Sequence, residues 1–392
     1  MQAFTSVALN YLPKARVLAH SLKQQHPEAR FHLVLSDQLP DWLLRSPEPF
    51  DSIIHVEQLP LANVKAWIFQ HSLVELCTAV KGEACRLIAA RYPGEPVFYF
   101  DPDIVVLGRL DHLVDEFQRA DILLTPHLLE PDESLDAVLL NEVCALRHGV
   151  YNLGFLGIAP TAEGQRFIDW WAQRLNSLCY DEIERGLFTD QRWADLAPVF
   201  FPTLGIVRHP GCNVATWNLA RRHVSGSLTE GLTVNGQPLT FFHFSGFDSG
   251  AQKAMLDKFG RKSRVLYQLR TWYAQECRQQ GQERLGRSRW AYGFFDNGEP
   301  ITEDHRRTYR ERVELQQEFP EPAATADPAH SYYHWYREEM SEPDIISSRD
   351  TLLRQLIRAR QELAAIRNSR SYQAARRAVG LVRGNWLRRR AA

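Results

Sequence analysis

No apolar run in this sequence approaches the roughly 20 residues that a membrane-spanning helix needs. The opening stretch, MQAFTSVALNYLPKARVLAH, has no basic segment followed by a long apolar one, so no secretory leader is expected. Cysteine is scarce: six among 392 residues, with no Cys-x-x-Cys pair and no metal-like spacing. They read as reduced, mostly buried thiols of a cytosolic protein. Neither sign of charge is in excess. The formal net charge of −1 removes the overall basic signature of a nucleic-acid binder. No internal repeat is present. What remains is 44% hydrophobic and 24% charged, the composition of a chain with an ordinary buried core.

The first 125 or so residues alternate short β-rich runs with helical patterns. AFTSVAL, FHLVLS, SIIHV, VFYF, IVVL and DILLT read as strands. PKARVLAHSLKQQ reads as a helix with Pro13 in its first turn. The stretch from Trp67 to Tyr92 reads as a long helix broken near Gly82. Farther on, YNLGFLGIA is a buried strand, EGQRFIDWWAQRL an amphipathic helix with Trp170 and Trp171 in the core, and FTDQRWADLAPVF the opening of another helix. PLTFFHFSGF is a last strand with a polar tip. This order predicts an α/β fold, a Rossmann-like, mostly parallel sheet with helices on both faces. Such sheets bind ligands in the crevice beyond the strands' carboxyl ends. Residues 1–250 form the expected α/β domain. Residues 251–345 form a helical extension with a Pro/Ala linker at EFPEPAATADPAH, and 346–392 a basic amphipathic C-terminal helix.

Asp101-Pro102-Asp103 interrupts two apolar runs in VFYFDPDIVVL. Asp-x-Asp alone is a weak signal and suits a surface turn. Here the flanks are too apolar for a solvent turn, and Pro102 forces a break at which both acids can face one crevice. Paired carboxylates with open positions suit Mg²⁺ or Mn²⁺ shared with substrate phosphates. A dehalogenase-type hydrolase carries its Asp-x-Asp on the first strand before a Gly-Thr-like turn; this pair sits a hundred residues in, before Ile-Val-Val, so that reading fails. His243 runs from a strand directly into Ser245-Gly246, a turn that brings backbone close to a ligand. An imidazole added to two carboxylates favours Mn²⁺ over Mg²⁺.

VFYFDPDIVVL, YNLGFLGI, FTDQ and FFHFSGF, in that order, resemble the metal-dependent GT-A glycosyltransferases, above all retaining family 8 and related enzymes of bacterial polysaccharide clusters. The resemblance covers about residues 1–250. It implies Asp101, Asp103 and His243 as metal ligands and Asn10-Tyr11 beside the nucleotide base. It also implies Asn152 against the donor sugar, Asp190 on the sugar hydroxyls, and Gln191 facing the anomeric carbon. Lys81 lies near the family's basic residue for the diphosphate. Two features depart from the family: Arg192 follows Asp-Gln where an acid is common, and the Lys-Pro-Trp after the late histidine is missing, with Lys253 a poor match. Asn10, Asn152 and Asp190 also suit a helix cap, a turn and a helix cap respectively. The loop HPGCNVATWNL either lines the acceptor site or is structural.

The implied reaction moves a sugar from a nucleotide-diphosphate sugar, a UDP-sugar first among them, to a glycan, lipid-linked or protein acceptor. Because the matched position holds a neutral amide, Gln191, front-face attack with retention is expected. Two other readings stay open. A sugar-phosphate nucleotidyltransferase would need a Gly-rich, basic phosphate loop after the first strand, which VALNYLPKA is not. An inactive scaffold or binding module would have no need of Asp101, Asp103 and His243 together. Residues 351–392 hold eleven arginines and one acid, Glu362, with Leu352, Leu356, Ala359, Leu363 and Ile366 on one helical seam. That tail either pairs chains in a homo-oligomer or anchors a cytoplasmic enzyme on the anionic inner face of the cell membrane.

Overall fold

The computed structural model describes residues 1–339. Its strands and helices begin β1 (Gln2–Val7), α1 (Leu12–Gln25), β2 (Arg30–Leu35), α2 (Asp41–Arg45), β3 (Ser52–His55), α3 (Val64–Phe69) and α4 (Leu73–Arg91). They continue with β4 (Val97–Phe100), β5 (Ile104–Val106), α5 (Asp111–Glu116), β6 (Ile122–Pro126), α6 (Leu135–Ala137), α7 (Val143–His148), β7 (Tyr151–Ile158) and α8 (Ala162–Leu178). Seven strands form the central sheet in the order Leu204–Ile206, β6, β7, β4, β1, β2, β3. Six run parallel. β7 alone runs against its neighbours β4 and β6. The mostly parallel α/β sheet predicted from the alternation of elements is therefore present.

The strands are covered on both faces, as their sequence dictates. In β4, Val97 and Tyr99 join a core with Leu76, Val80 and Trp171 of α4 and α8. Phe98 and Phe100 turn the other way, into a core with Leu18 and Leu22 of α1 and Leu113 of α5. A strand apolar at every position must be buried on both sides.

The helix from Trp67 does not break at Gly82. It breaks at His71-Ser72, where Ser72 and Glu75 form a capping box for α4. Gly82 stays helical because α4 and α8 touch there: a Cβ on it would lie 2.5 Å from Ala172 Cα. The predicted helix in FTDQRWADLAPVF is only a 3-10 turn, Arg192–Leu196, and one short helix, Ala197–Phe200. The strand in PLTFFHFSGF shortens to Phe241–His243, which pairs antiparallel with β5 so that His243 stands opposite Ile104.

One compact unit spans Met1–Ala323 and includes helices Ala251–Phe259, Arg264–Gln279 and Glu303–Glu311. Within it, Arg306 donates to the carbonyls of Phe69 and Tyr292. A second unit begins at Ala324; its described part holds a 3-10 turn, Pro328–His330, and the helix Tyr332–Glu339. The basic helix expected at 346–392 lies outside the described residues. No helix among the described residues is long and apolar enough to cross a membrane.

Candidate active site

Parallel strands deliver their carboxyl ends to one edge of the sheet, and the reversed β7 delivers its start to that same edge. Asp101 follows β4, and its backbone N–H donates to Gly154 O on β7 at 2.8 Å. Asn152 sits beside it at the head of β7, and the turn Leu9–Tyr11 follows β1 at that edge. Lys81, Asp101, Asn152, Asp190, Gln191 and His243 line a cleft of about 450 Å³ there.

Asp101, Asp103 and His243 converge, one ligand atom of each lying within 4.8 Å of the others. His243 Nε2 is 3.0 Å from Asp103 Oδ1 and 3.7 Å from Asp101 Oδ2. Burial works against charge on His243, yet the two carboxylates hold its pKa above the usual histidine value. Burial likewise opposes ionisation of Asp103, and His243 still holds that carboxyl below its usual range.

Asn213 fixes the histidine. Its Nδ2 donates to Thr125 Oγ1 at 2.8 Å and Asn152 Oδ1 at 2.9 Å, so its Oδ1 accepts from His243 Nδ1–H at 3.2 Å. With Nδ1–H so engaged, Nε2 is the nitrogen aimed at both carboxylates, where it gives a proton to Asp103 or, once deprotonated, a lone pair to a metal. Two carboxylates and one imidazole nitrogen form a donor set that suits a Mn²⁺-type cation and leaves positions for substrate oxygens. The residues therefore fit the implied metal.

Lys81 is fully buried and binds Asp190 Oδ2 at 2.8 Å and Asp101 Oδ1 at 3.4 Å. Burial alone would push its ammonium down, but the two carboxylates outweigh it and hold it well above an ordinary lysine. Burial raises Asp190 despite that partner. Tyr99 OH donates to Asp101 Oδ1 at 2.6 Å. Asp190 caps no helix: the following 3-10 turn has Gln191 at its N-cap position and no side-chain capping bond. Gln191 Oε1 accepts from Leu153 N at 3.2 Å and Asn152 Nδ2 at 3.4 Å, while its Nε2 donates to His148 O at 3.0 Å. Thr189, with φ 45°, holds a conformation that a β-branched residue rarely adopts, directly before Asp190-Gln191.

Asn10 caps no helix either, since α1 has Tyr11 at its N-cap and no side-chain cap. Tyr11 lies near the acids; burial first, then Asp103 and Asp248, push its phenol up. Lys253 is exposed and pairs with Asp257.

Two residues were missed by sequence reasoning. Asn213, in the HPGCNVATWNL loop, adopts φ 51°, a conformation asparagine tolerates, but nothing in sequence spacing ties it to His243. Lys14, in the first turn of α1, is buried, pairs with Asp248 and stacks its ammonium 3.7 Å over the Tyr11 ring. Its charge helps hold Asp103 ionised. Its signal was its position just past β1, where a parallel sheet delivers residues to the ligand edge.

No family model matches the chain. It is 28% identical over 153 residues to the uncharacterized protein YfnF of Bacillus subtilis (strain 168), covering 39% of this chain and 44% of YfnF. It is 25% identical over 259 residues to the uncharacterized protein YfnD of the same organism, covering 64% of this chain and 78% of YfnD. The chain thus spans less than half the length of YfnF. Among solved structures, galactosyltransferase LgtC in complex with donor and acceptor sugar analogs is 15% identical, with 67% of this chain and 96% of that chain covered at a TM-score of 0.39. Glycosyltransferase GlyE in Streptococcus pneumoniae TIGR4 is 17% identical, with 53% and 45% covered at a TM-score of 0.34. Likenesses this distant carry no weight for the chemistry, which rests on the site itself.

Proposed function

We propose that this protein is a metal-dependent glycosyltransferase that moves a sugar from a nucleotide-diphosphate sugar to an acceptor hydroxyl. The observation that carries the reading is the Asp101–Asp103–His243 cluster at the carboxyl edge of the sheet, opening into a cleft walled by Asn152, Asp190 and Gln191. Asp101, Asp103 and His243 hold a divalent cation, Mn²⁺ before Mg²⁺. When bound, that cation supplies Lewis-acid stabilisation of the departing diphosphate.

The chain's own residues do the rest. Lys81 pairs with both Asp190 and Asp101 and fixes them, so Asp190 can accept hydrogen bonds from sugar hydroxyls. Lys14 offers a buried cation on the nucleotide side, near Tyr11 and Asn10. Gln191 is neutral and its amide is engaged with Leu153, Asn152 and His148, so it positions the cleft wall and attacks nothing. This supports front-face transfer with retention.

Leu135, Leu139, Val143 and Leu146 form an exposed apolar stripe along the α6–α7 wall. Leu140, Cys144 and His148 of that segment line the cleft itself. An apolar rim beside a sugar site suits a lipid-linked acceptor, used in surface polysaccharide or glycoconjugate synthesis at the inner face of the membrane.

The test is hydrolysis of a panel of nucleotide-diphosphate sugars with and without Mn²⁺, on wild type and Asp103→Ala. One donor should be consumed with metal, and the variant should lose that activity while keeping its circular dichroism spectrum. Full activity in the variant, or no donor consumed with Mn²⁺ or Mg²⁺, rejects the reading. Gln191→Ala should slow transfer without abolishing it. A sugar adduct trapped on any residue and seen by mass spectrometry would overturn front-face attack.

A further inference from the structure

A second cluster of ligating side chains lies on the other side of the Asn213 loop. His112 is on α5; His209 and Cys212 are in the loop after the strand Leu204–Ile206. Nearly a hundred residues separate His112 from the other two, yet their ligand atoms all lie within 4.8 Å of one another. His112 Nε2 is 3.4 Å from Cys212 Sγ, and His209 Nδ1 is 3.9 Å from the same sulfur. A tetrahedral zinc site with Zn–S of about 2.3 Å and Zn–N of about 2.05 Å has N···S edges of about 3.6 Å. The two observed distances bracket that value. The third edge closes by rotation of half-buried imidazoles whose centroids are 4.7 Å apart.

The tautomers fit. His112 is hydrogen-bonded to the backbone of Arg109, the kind of partner that fixes one ring nitrogen and leaves the other free for a metal. His209 Nδ1 accepts from Gly211 N–H at 3.1 Å, so it is unprotonated, and a bound ion would take over the lone pair that this bond now uses. Burial depresses both imidazoles, which keeps them neutral as ligands must be. Cys212 is held by its backbone. Arg222 binds the carbonyls of Pro210 and Cys212, and Thr240 N and Phe241 N bind Gly211 O. Gly211 is required there, because a Cβ would fall 2.0 Å from Pro238 O.

We propose that His112, His209 and Cys212 bind one thiophilic divalent cation of the Zn²⁺ class, with the fourth position open to solvent. The site is separate from Asp101, Asp103 and His243, and the proposal does not depend on the glycosyl-transfer reading. The ion would tie α5 to the loop whose next residue, Asn213, orients His243. Binding deprotonates the Cys212 thiol, which burial pushes up to about 12, and releases that proton to solvent.

The experiment titrates metal-stripped full-length protein with Co²⁺ and follows thiolate-to-cobalt charge transfer in the near ultraviolet. Wild type and Asp103→Ala should each develop the band at one equivalent, and Cys212→Ser should not. His112→Gln, at a half-buried position that tolerates the change, should bind at least about 10-fold more weakly. This variant decides the matter if Cys212→Ser fails to fold. A wild type without the band at saturating Co²⁺ overturns the proposal. So does a band that survives Cys212→Ser but vanishes in Cys144→Ser, since Cys144 Sγ lies 3.3 Å from His148 Nδ1 in the cleft. Wild-type Co²⁺ affinity in folded His112→Gln overturns it as well.

Discussion

Replacing Gly154 by alanine adds one methyl group directly against His243 of the proposed metal site. The new Cβ would lie 2.5 Å from His243 Cε1, 2.8 Å from its Nδ1 and 2.7 Å from Asn152 Oδ1. Ordinary contact begins near 3.4 Å, so the imidazole must withdraw by about 3.4 − 2.5 = 0.9 Å. The ring has little freedom to do so. Its strand pairs with β5, and Asn213 grips its Nδ1. Overpacking of this kind costs about 1–3 kcal/mol. A displacement near 1 Å in a reacting constellation lowers rate by about 100-fold. The expected Gly154→Ala protein is folded, somewhat less heat-stable, at least about tenfold weaker for Mn²⁺, and about 100-fold slower in metal-dependent donor hydrolysis. Mn²⁺ affinity is read by electron paramagnetic resonance of the free ion and stability by thermal denaturation. A folded variant with wild-type Mn²⁺ affinity would refute the assignment of His243 as a ligand held against β7.

Lys81→Met leaves Asp190 buried without its cation and should destabilise the protein by about 3–5 kcal/mol in urea denaturation. Lys81→Met/Asp190→Leu should recover most of that loss, and equal instability of single and double variants would sink the ion-pair account. His32, bonded to Gln2 and Ser52 and pushed down to about 4 by burial, is neutral when folded and protonates near 6.5 when unfolded. The unfolded state therefore binds the extra proton first as pH falls, and stability is lost between about pH 6.5 and 4, by up to about 3 kcal/mol. His32→Gln should flatten that part of the stability curve, and an unchanged slope would exclude His32 as its source. Deleting residues 351–392 should spare donor hydrolysis and weaken sedimentation with anionic vesicles, most visibly at low salt. A changed oligomeric mass with vesicle binding intact would make the tail a pairing helix instead.

What the sequence revealed and what it hid divide along the range of the contacts involved. VFYF was legible because four consecutive apolar residues, bounded by Asp-Pro-Asp, can only be a strand buried on both faces. The carboxyl edge of that strand then marked the site. Gly82 misled because glycine weakens an isolated helix, whereas the contact that requires it comes from Ala172 on α8. The hairpin turning at Asn235-Gly236 was overlooked although its signal is local: both residues have positive φ, 50° and 80°, and Val234 pairs with Gln237 across them. Asn213 and the His112–His209–Cys212 cluster were hidden for the opposite reason. Asn213 meets His243 and His112 meets the local His209-x-x-Cys212 pair from distant elements, and no spacing rule reaches across such separations.

The reversal of β7 carries a consequence for how this protein could diversify. Because β6 ends and β7 begins at the same rim, the whole excursion from 127 to 150 leaves the sheet and returns to it on the cleft side. It brings His127, Leu140, Cys144 and His148 to the cleft, and the β6–β7 pairing absorbs it by a register shift between Leu124 and Pro126. Lengthening, shortening or exchanging this excursion would remodel one wall of the cleft without moving Asp101, Asp103 or the Lys81–Asp190 pair. That wall can thus vary in one cassette of sequence while the Asp101–Asp103–His243 cluster beneath it stays in place.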